Sequence, residues 1–333
     1  MNYLVTGATG FLGQYVLDAL RRRRPDATIW VLVRSAASWR QAPHAAHHAD
    51  VRPIEASLTD SQALERGLAG HTLAGIFHLA ATVHHSRQHR ARTFSSNVDG
   101  TASMVRLARA QGARLVFVST SGTVGCSRSP LAAPDEDAPF CEQVVGRWPY
   151  YASKIAAERL VLEGLKGGGL DGVILRPPVM LGPCDHRFRA TSLIVRFLRG
   201  RLPFYLSGGM HFVDIRDAAH SMVEAMMHQA PRPIYHLPGA AMPLRDYFAQ
   251  LQQVSGVRAP RWPLPYPLAL ALAYGSGGKF FDPVVIEMGH HHWGLSSKYA
   301  SELGFASRAP LTTLKETVSW LRSAHPALSS GVK

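Results

Sequence analysis

Residues 2–13 read Asn2-Tyr-Leu-Val-Thr6-Gly7-Ala-Thr-Gly10-Phe-Leu-Gly13, and this stretch decides the fold. A short apolar run enters a glycine turn, and from Phe11 to Arg23 the apolar positions follow a helical period. A strand that turns into a helix through spaced glycines marks a dinucleotide-binding βα unit. Gly7 permits the tight turn, Gly10 lets the backbone approach a pyrophosphate, and Gly13 lets the helix pack on the strand. Thr9, Phe11 and Leu12 stand between these glycines and count with them as candidate cofactor contacts.

Outward from this unit, Thr28–Val33 (TIWVLV) is apolar almost throughout, as a parallel strand buried on both faces should be. Val51–Ile54 reads as a third strand, Ser61–Leu68 as a helix and Gly75–Leu79 as a fourth strand. A long helical pattern covers Thr93–Ala110, before the strand Arg114–Ser119. Tyr151–Leu165 is helical, and the strand Gly172–Leu175 ends at Arg176-Pro177-Pro178. This alternation predicts an α/β fold, a doubly wound parallel Rossmann sheet. Beyond Pro178 the alternation is lost. Asp214–Met227 reads as a helix, Pro233–Leu237 as a returning strand and Leu244–Val254 as a helix, with the remainder a smaller, mostly helical lobe. The expected division is a nucleotide domain over 1–176, with 212–237 returning to it, and a substrate lobe over 177–211 and 238–333.

With 46% hydrophobic and 18% charged residues in 333, the chain has material for a sizeable core, which excludes a disordered or collagen-like class. Cys126, Cys141 and Cys184 are widely spaced and form no CxxC pair, so no disulfide framework is expected. The first residues show no basic leader or apolar signal core, and a cytoplasmic location is expected. No run reaches the length of a membrane span; Pro263–Tyr274 comes nearest.

The formal charge is +13, yet the basic residues are mostly arginines scattered along the chain, a compositional habit rather than a nucleic-acid footprint. The dense run Arg21–Arg24 falls where a helix ends before Pro25 and complements its dipole. Histidine clusters at 44–48, 84–89 and 290–292 lack HExxH or CxxC partners, so no metal is expected. His84 and His85 follow the fourth strand and are candidates to line a pocket.

Three features carry chemistry. After Val33 comes Arg34, where an NAD-specific site would place a carboxylate on the ribose 2′-OH. A guanidinium there suits a 2′-phosphate, which favours NADP (NADPH) over NAD. Tyr150 and Lys154 share one helix face at i, i+4, and a nearby ammonium would lower the phenol's pKa toward use as a general acid. Ser119-Thr120-Ser121, at the end of the fifth strand, offers hydroxyls for a substrate oxygen; position alone does not choose among them.

The chain resembles the extended short-chain dehydrogenase/reductases of the NAD-dependent epimerase/dehydratase superfamily. The resemblance rests on TGATGFLG (6–13), FHLAAT (77–82), NVDGT (97–101), VSTSGTVG (118–125), YxxxK (150–154), LRPPVMLGP (175–183) and HFVDIRDAA (211–219). It implies a catalytic Ser121, Tyr150 and Lys154. It further implies cofactor contacts along Leu79, Ala80 and Ala81, at Asn97 and Ser119, and at Pro177 and Val179. Where the family often has Asp-Leu near the adenine, this chain has Ser57-Leu58. Pro178 replaces an asparagine common in nucleotide-sugar enzymes, and Met210-His211 stands where those place an arginine. VSTSGTVG and LRPPVMLGP are instead similar to the dihydroflavonol-reductase and 3β-hydroxysteroid-dehydrogenase branch. TGATGFLG and FHLAATVHH also resemble thioester-reductase domains, in which a threonine near Thr120 takes the hydroxyl role.

The resemblance implies reduction of a ketone, or oxidation of the matching secondary alcohol, on a small apolar substrate. The alternatives are a nucleotide-sugar epimerase or dehydratase retaining NAD, and an acyl-thioester reductase. A homodimer is expected. The apolar segment 263–274 is read as lid, core packing or peripheral membrane contact.

Overall fold

In the computed structural model, which describes residues 1–277 and 282–328, seven parallel strands form the central sheet. They are β1 (Asn2–Thr6), β2 (Thr28–Val33), β3 (Arg52–Glu55), β4 (Leu73–His78), β5 (Arg114–Val118), β6 (Gly172–Arg176) and β7 (Ile234–His236). Their order is β7-β6-β5-β4-β1-β2-β3, so the chain reverses its winding between β1 and β4, where such sheets bind ligands. The apolar strands predicted from sequence are the inner ones: every residue of β6, and all but the first of β1, β2 and β5, is buried.

Helices cover both faces. Phe11–Arg23 and Ile215–Met227 place Val16, Leu17, Leu20, Met222 and Val223 against one face. Gly100–Gln111 and Pro149–Lys166 place Met104, Ala108, Ala157 and Val161 against the other. A separate core joins Leu181, Phe197, Phe212, Tyr247, Phe248 and Leu314 in the remaining lobe. That lobe is built mainly of helices (Ser192–Leu198, Leu244–Ser255, Tyr266–Gly275, Pro283–Met288, Pro310–Ala324). Short strands, which sequence reading missed, pin it down. Gly209–Asp214 pairs with Val179–Leu181 and Ala240–Pro243, Phe204–Tyr205 with Trp262–Pro263, and Cys126–Ser127 with His292–Trp293. All but Gly209–Asp214 are two to four residues long and carry too little periodicity to be legible. The Ser/Gly tail after Leu328 lies outside the described residues.

The long helix expected over Thr93–Ala110 is not continuous. Arg90–Phe94 is α-helical, Ser95–Asp99 widens into a π turn, and Gly100–Gln111 resumes the α-helix. The bulge presents the Asn97 amide to the loop after β4: it accepts from Thr82 N at 2.7 Å and donates to Thr82 O at 3.0 Å and to Ser153 Oγ at 2.9 Å. Such turns concentrate at functional sites.

Glu158, with no solvent exposure, receives the Arg176 guanidinium and the Ser119 hydroxyl. Removing one partner of a buried ion pair strands the other, at a cost of about 3–5 kcal/mol. Glu158→Ala should therefore lower the urea-unfolding free energy by about that amount. A loss within the scatter of surface substitutions would show that the pair does not hold the sheet ends together.

Candidate active site

The glycine turn closes as the sequence predicts. Gly7 has φ +73°, and a Cβ there would lie 2.8 Å from Ala80 N. A Cβ on Gly13 would lie 2.5 Å from the carbonyl oxygens of Gly7 and Ala8. The first helix begins at Phe11 with no side-chain cap and no acidic residue in its first turn, so its N–H groups face outward beside the cradle. A dinucleotide pyrophosphate fits this surface. Thr9 and Gly10 lie within it, Leu12 packs against the core, and Phe11 packs its ring edge-on against Tyr15 at 5.9 Å. His44, an unforeseen neighbour, bonds Ala8 O at 2.9 Å and braces the turn from behind.

Arg34 is exposed at the end of β2, with no carboxylate partner among the described residues. Asp50, the one acidic residue between Thr28 and Val51, is occupied by Arg21. Ser57 bonds Thr59 at 3.1 Å, and Leu58 packs where a Cβ on Gly100 would touch it. At the end of β4, His78 is buried between Thr6 Oγ1 at 2.9 Å and Thr101 Oγ1 at 3.0 Å. Burial, with the Lys154 charge nearby, pushes it down to about 3, so it is a neutral strut. Thr6 Oγ1 also accepts from Ala80 N at 3.2 Å, which fixes Leu79–Ala81 beside Gly7.

Tyr150 and Lys154 lie one turn apart on the helix Pro149–Lys166, which Pro149 opens at its first position. Lys154 is buried, donates to Val118 O at 2.7 Å and sits 4.1 Å from the centre of the Phe117 ring. Burial pushes it down to about 7, against a smaller upward pull from Glu158. The expected lowering of the Tyr150 pKa is not what this arrangement produces. Burial pushes the phenol up to about 12, and the hydrogen bond to Thr120 offsets only part of this. The physical reason is placement: the Lys154 ammonium is spent on the Val118 carbonyl and the Phe117 ring.

Among the three hydroxyls, the structure separates what sequence position left open. Ser119 Oγ donates to Glu158 and faces inward. Thr120 lies beside the Tyr150 phenol, close enough to pull its pKa down. The Ser121 backbone N–H donates to Pro177 O at 2.8 Å, and both Thr120 and Ser121 line a large cavity. Asn97, expected at the cofactor, is buried and has both ends of its amide engaged by protein. His85 stands edge-on to Tyr150 at 5.9 Å, whereas His84 packs on His89 at 4.7 Å.

The cavity measures about 820 Å³ and runs from Thr120, Ser121 and Val179 into the second lobe. Its walls include Leu193, Leu206, Met210, Phe248, Ile286 and Trp293. Among the described residues the charged side chain on its lining is Arg201, exposed at one side. His211, also on the wall, is pushed down to about 4 by burial and is neutral. Tyr151 packs against Gly122 and stacks on Trp293 at 5.3 Å, a wall position rather than a partner of Lys154. Most wall residues carry no motif, and sequence reading missed them. Glu158 left one signal: it continues the Tyr150/Lys154 face by another four residues.

Comparisons with known proteins bear on the family and the fold. The family model described as "NAD dependent epimerase/dehydratase family" matches residues 3–237. A ketoreductase from Stigmatella aurantiaca, named for 4-hydroxy-2-methyl-3-oxo-4-farnesyl-3,4-dihydroquinoline-1-oxide, is 30% identical over 82% of this chain and 79% of its own. A putative dihydroflavonol 4-reductase from Synechocystis is 26% identical over 96% of this chain and 94% of its own. The fold matches the UDP-glucose 4-epimerase of Thermus thermophilus in complex with NAD, with a TM-score of 0.76 and 21% identity over 97% and 100% of the two chains.

The Lys154 environment predicts a pH dependence of stability. Between about 7 and 10.5 the unfolded chain binds a proton on this lysine that the folded chain does not, so its contribution to stability rises with pH. That contribution is complete above 10.5 and lost as the pH falls through about 7. In urea titrations, the stability of the unsubstituted protein minus that of Lys154→Met should climb across this window. A flat difference would place the ammonium in water rather than under Phe117.

Proposed function

Because the chain belongs to the NAD dependent epimerase/dehydratase family, and so to the NAD(P)-dependent short-chain dehydrogenase/reductases, we propose that it reduces the ketone of a bulky apolar substrate with NADPH. The observation that carries this reading is the cavity of about 820 Å³, almost wholly apolar, that begins at the hydroxyls beside Tyr150. A nucleotide sugar would bring two phosphates into it, and Arg201 at one side is a poor match for them. An apolar substrate gains by leaving water for such walls.

The cofactor, when bound, supplies the hydride. In this reading the chain's own residues do the rest. Residues 1–176 with 212–237 hold the cofactor, and 177–211 with 238–333 shape the substrate site. Gly7, Gly10 and Gly13 with the start of the first helix would hold the pyrophosphate, and Arg34 the 2′-phosphate. Tyr150 gives its proton to the carbonyl oxygen, Ser121 donates a hydrogen bond to the same oxygen, and Lys154 holds the nicotinamide ribose. A phenol kept protonated by burial is in the state a proton donor needs.

The Thr120–Tyr150 contact supports a second reading, in which Thr120 is the working hydroxyl and the substrate is an acyl thioester. Thr120→Val and Ser121→Ala, assayed on ketones and on thioesters, separate the two.

Two outcomes test the favoured reading. Tyr150→Phe should lose about 10²-fold or more in turnover with NADPH affinity nearly unchanged, while Tyr151→Phe keeps most activity. Equal losses would mean that the wrong tyrosine has been chosen. For the cofactor, NADPH should bind at least about tenfold more tightly than NADH, and Arg34→Asp should reverse the order. Fluorescence titrations showing equal affinities in the unsubstituted protein would remove Arg34 from the site. Turnover of a nucleotide sugar, with none of any apolar ketone or thioester, would overturn the substrate class.

A further inference from the structure

The outer side of the second lobe carries an unusual surface. The helix Tyr266–Gly275 buries Ala269 and Ala273 against Ile286 and turns Leu268, Leu272 and Tyr274 outward, each more than half exposed. Beside it, the paired strands Phe204–Tyr205 and Trp262–Pro263 set Phe204 opposite Trp262, 46% and 68% exposed. Phe204, Leu272 and the exposed Val285 also line the cavity, so this apolar surface is continuous with the cavity wall.

Outside the helix Pro283–Met288, where Asp282 caps Val284 N and Glu287 is paired with Arg87 and Arg147, the segments that build this face carry charge of one sign. No Asp or Glu occurs between residues 186 and 213, or between 247 and 281. The same stretches carry Arg199, Arg201, Arg258 and Arg261, all exposed and without a carboxylate partner among the described residues. Exposed aromatic and aliphatic side chains in segments that also carry unpaired guanidinium groups fit the interface of an anionic bilayer, which accepts apolar groups below its headgroups and binds cations at them.

We propose that this face docks on an anionic membrane surface, with the Tyr266–Gly275 helix at the interface and the cavity mouth turned toward the lipid. A ketone dissolved in the bilayer would then enter along Leu272 and Phe204 without crossing water. The docking stands apart from the proposed reaction and is tested without assaying activity.

The test is co-sedimentation of the full chain with vesicles of phosphatidylcholine containing phosphatidylglycerol, and with phosphatidylcholine alone. Binding is expected to the anionic vesicles and to weaken steeply with salt. Arg258→Gln with Arg261→Gln should cost roughly fivefold per arginine. Trp262→Ser with Leu268→Ser should abolish binding while NADPH affinity and the melting temperature hold, since neither residue lines the cavity or is buried. No binding to anionic vesicles, or equal binding by the Trp262/Leu268 variant, overturns the proposal. So does sedimentation velocity in which that variant turns a dimer into a monomer, which would assign the face to a second copy of the chain.

Discussion

A carboxylate taken fully out of water must be met by donors on every side, and Glu158 is met from several parts of the chain. Ser119 reaches it from the end of β5, Thr123 from the following turn, and Arg176 from the end of β6. Arg176 in turn donates to Nε2 of His236 at the end of β7, which leaves Nδ1 to donate to Ser296 O in the second lobe. Glu136 accepts from the backbone of His236 and Lys298 and from Ser297. One buried charge thus aligns the carboxyl ends of three strands with the Tyr150 helix and ties the second lobe to them. The cost of burying ions makes the alignment strict: a shift of the helix by one turn would leave both Glu158 and Arg176 unpaired.

That alignment explains the state of the catalytic candidates. The helix is anchored at Glu158, so Lys154 one turn earlier falls under the end of β5, on Phe117 and Val118 O. Tyr150, a further turn toward the helix start, lies beside Thr120, which itself lines the cavity. The Asn97 clamp secures the same turn from the other side, since Ser153 joins it to the Tyr150 carbonyl at 2.7 Å. Polar groups that would be costly when buried singly form two connected networks here, and the tyrosine is held between them.

The sheet was legible in the sequence because burial on both faces writes continuous apolar runs, as in TIWVLV, and because spaced glycines leave a signal no side chain can imitate. The break in the helix at Asn97 was not legible, since a π turn changes the hydrogen-bond register without changing composition. The effect of Lys154 on Tyr150 was misjudged for a related reason. Helical spacing shows that two side chains share a face, but not that the flexible lysine spends its charge on a carbonyl next to Phe117. The cavity was hidden most completely. Its wall draws on segments from Thr120 to Trp293, and the short pairings Phe204–Tyr205 with Trp262–Pro263 and Cys126–Ser127 with His292–Trp293 help to join them.

The two halves of the molecule divide the physical work. The sheet half concentrates paired and hydrogen-bonded polar groups at strand ends, where small displacements are resisted by buried charge. The second lobe carries few of these near the cavity: its walls are mainly Leu, Ala, Phe, Met and other apolar side chains, with Arg201 at one side, and apolar contacts are non-directional and tolerate changes of ligand shape. In the proposed reaction, orientation of the carbonyl is left to the hydroxyls of Thr120 and Ser121 on the wall and of Tyr150 beside them, and affinity to the apolar bulk beyond. A cavity built in this way would discriminate weakly between ligands that differ by a methylene and strongly against those that place a charge away from Arg201, because the apolar wall does not repay the loss of hydration.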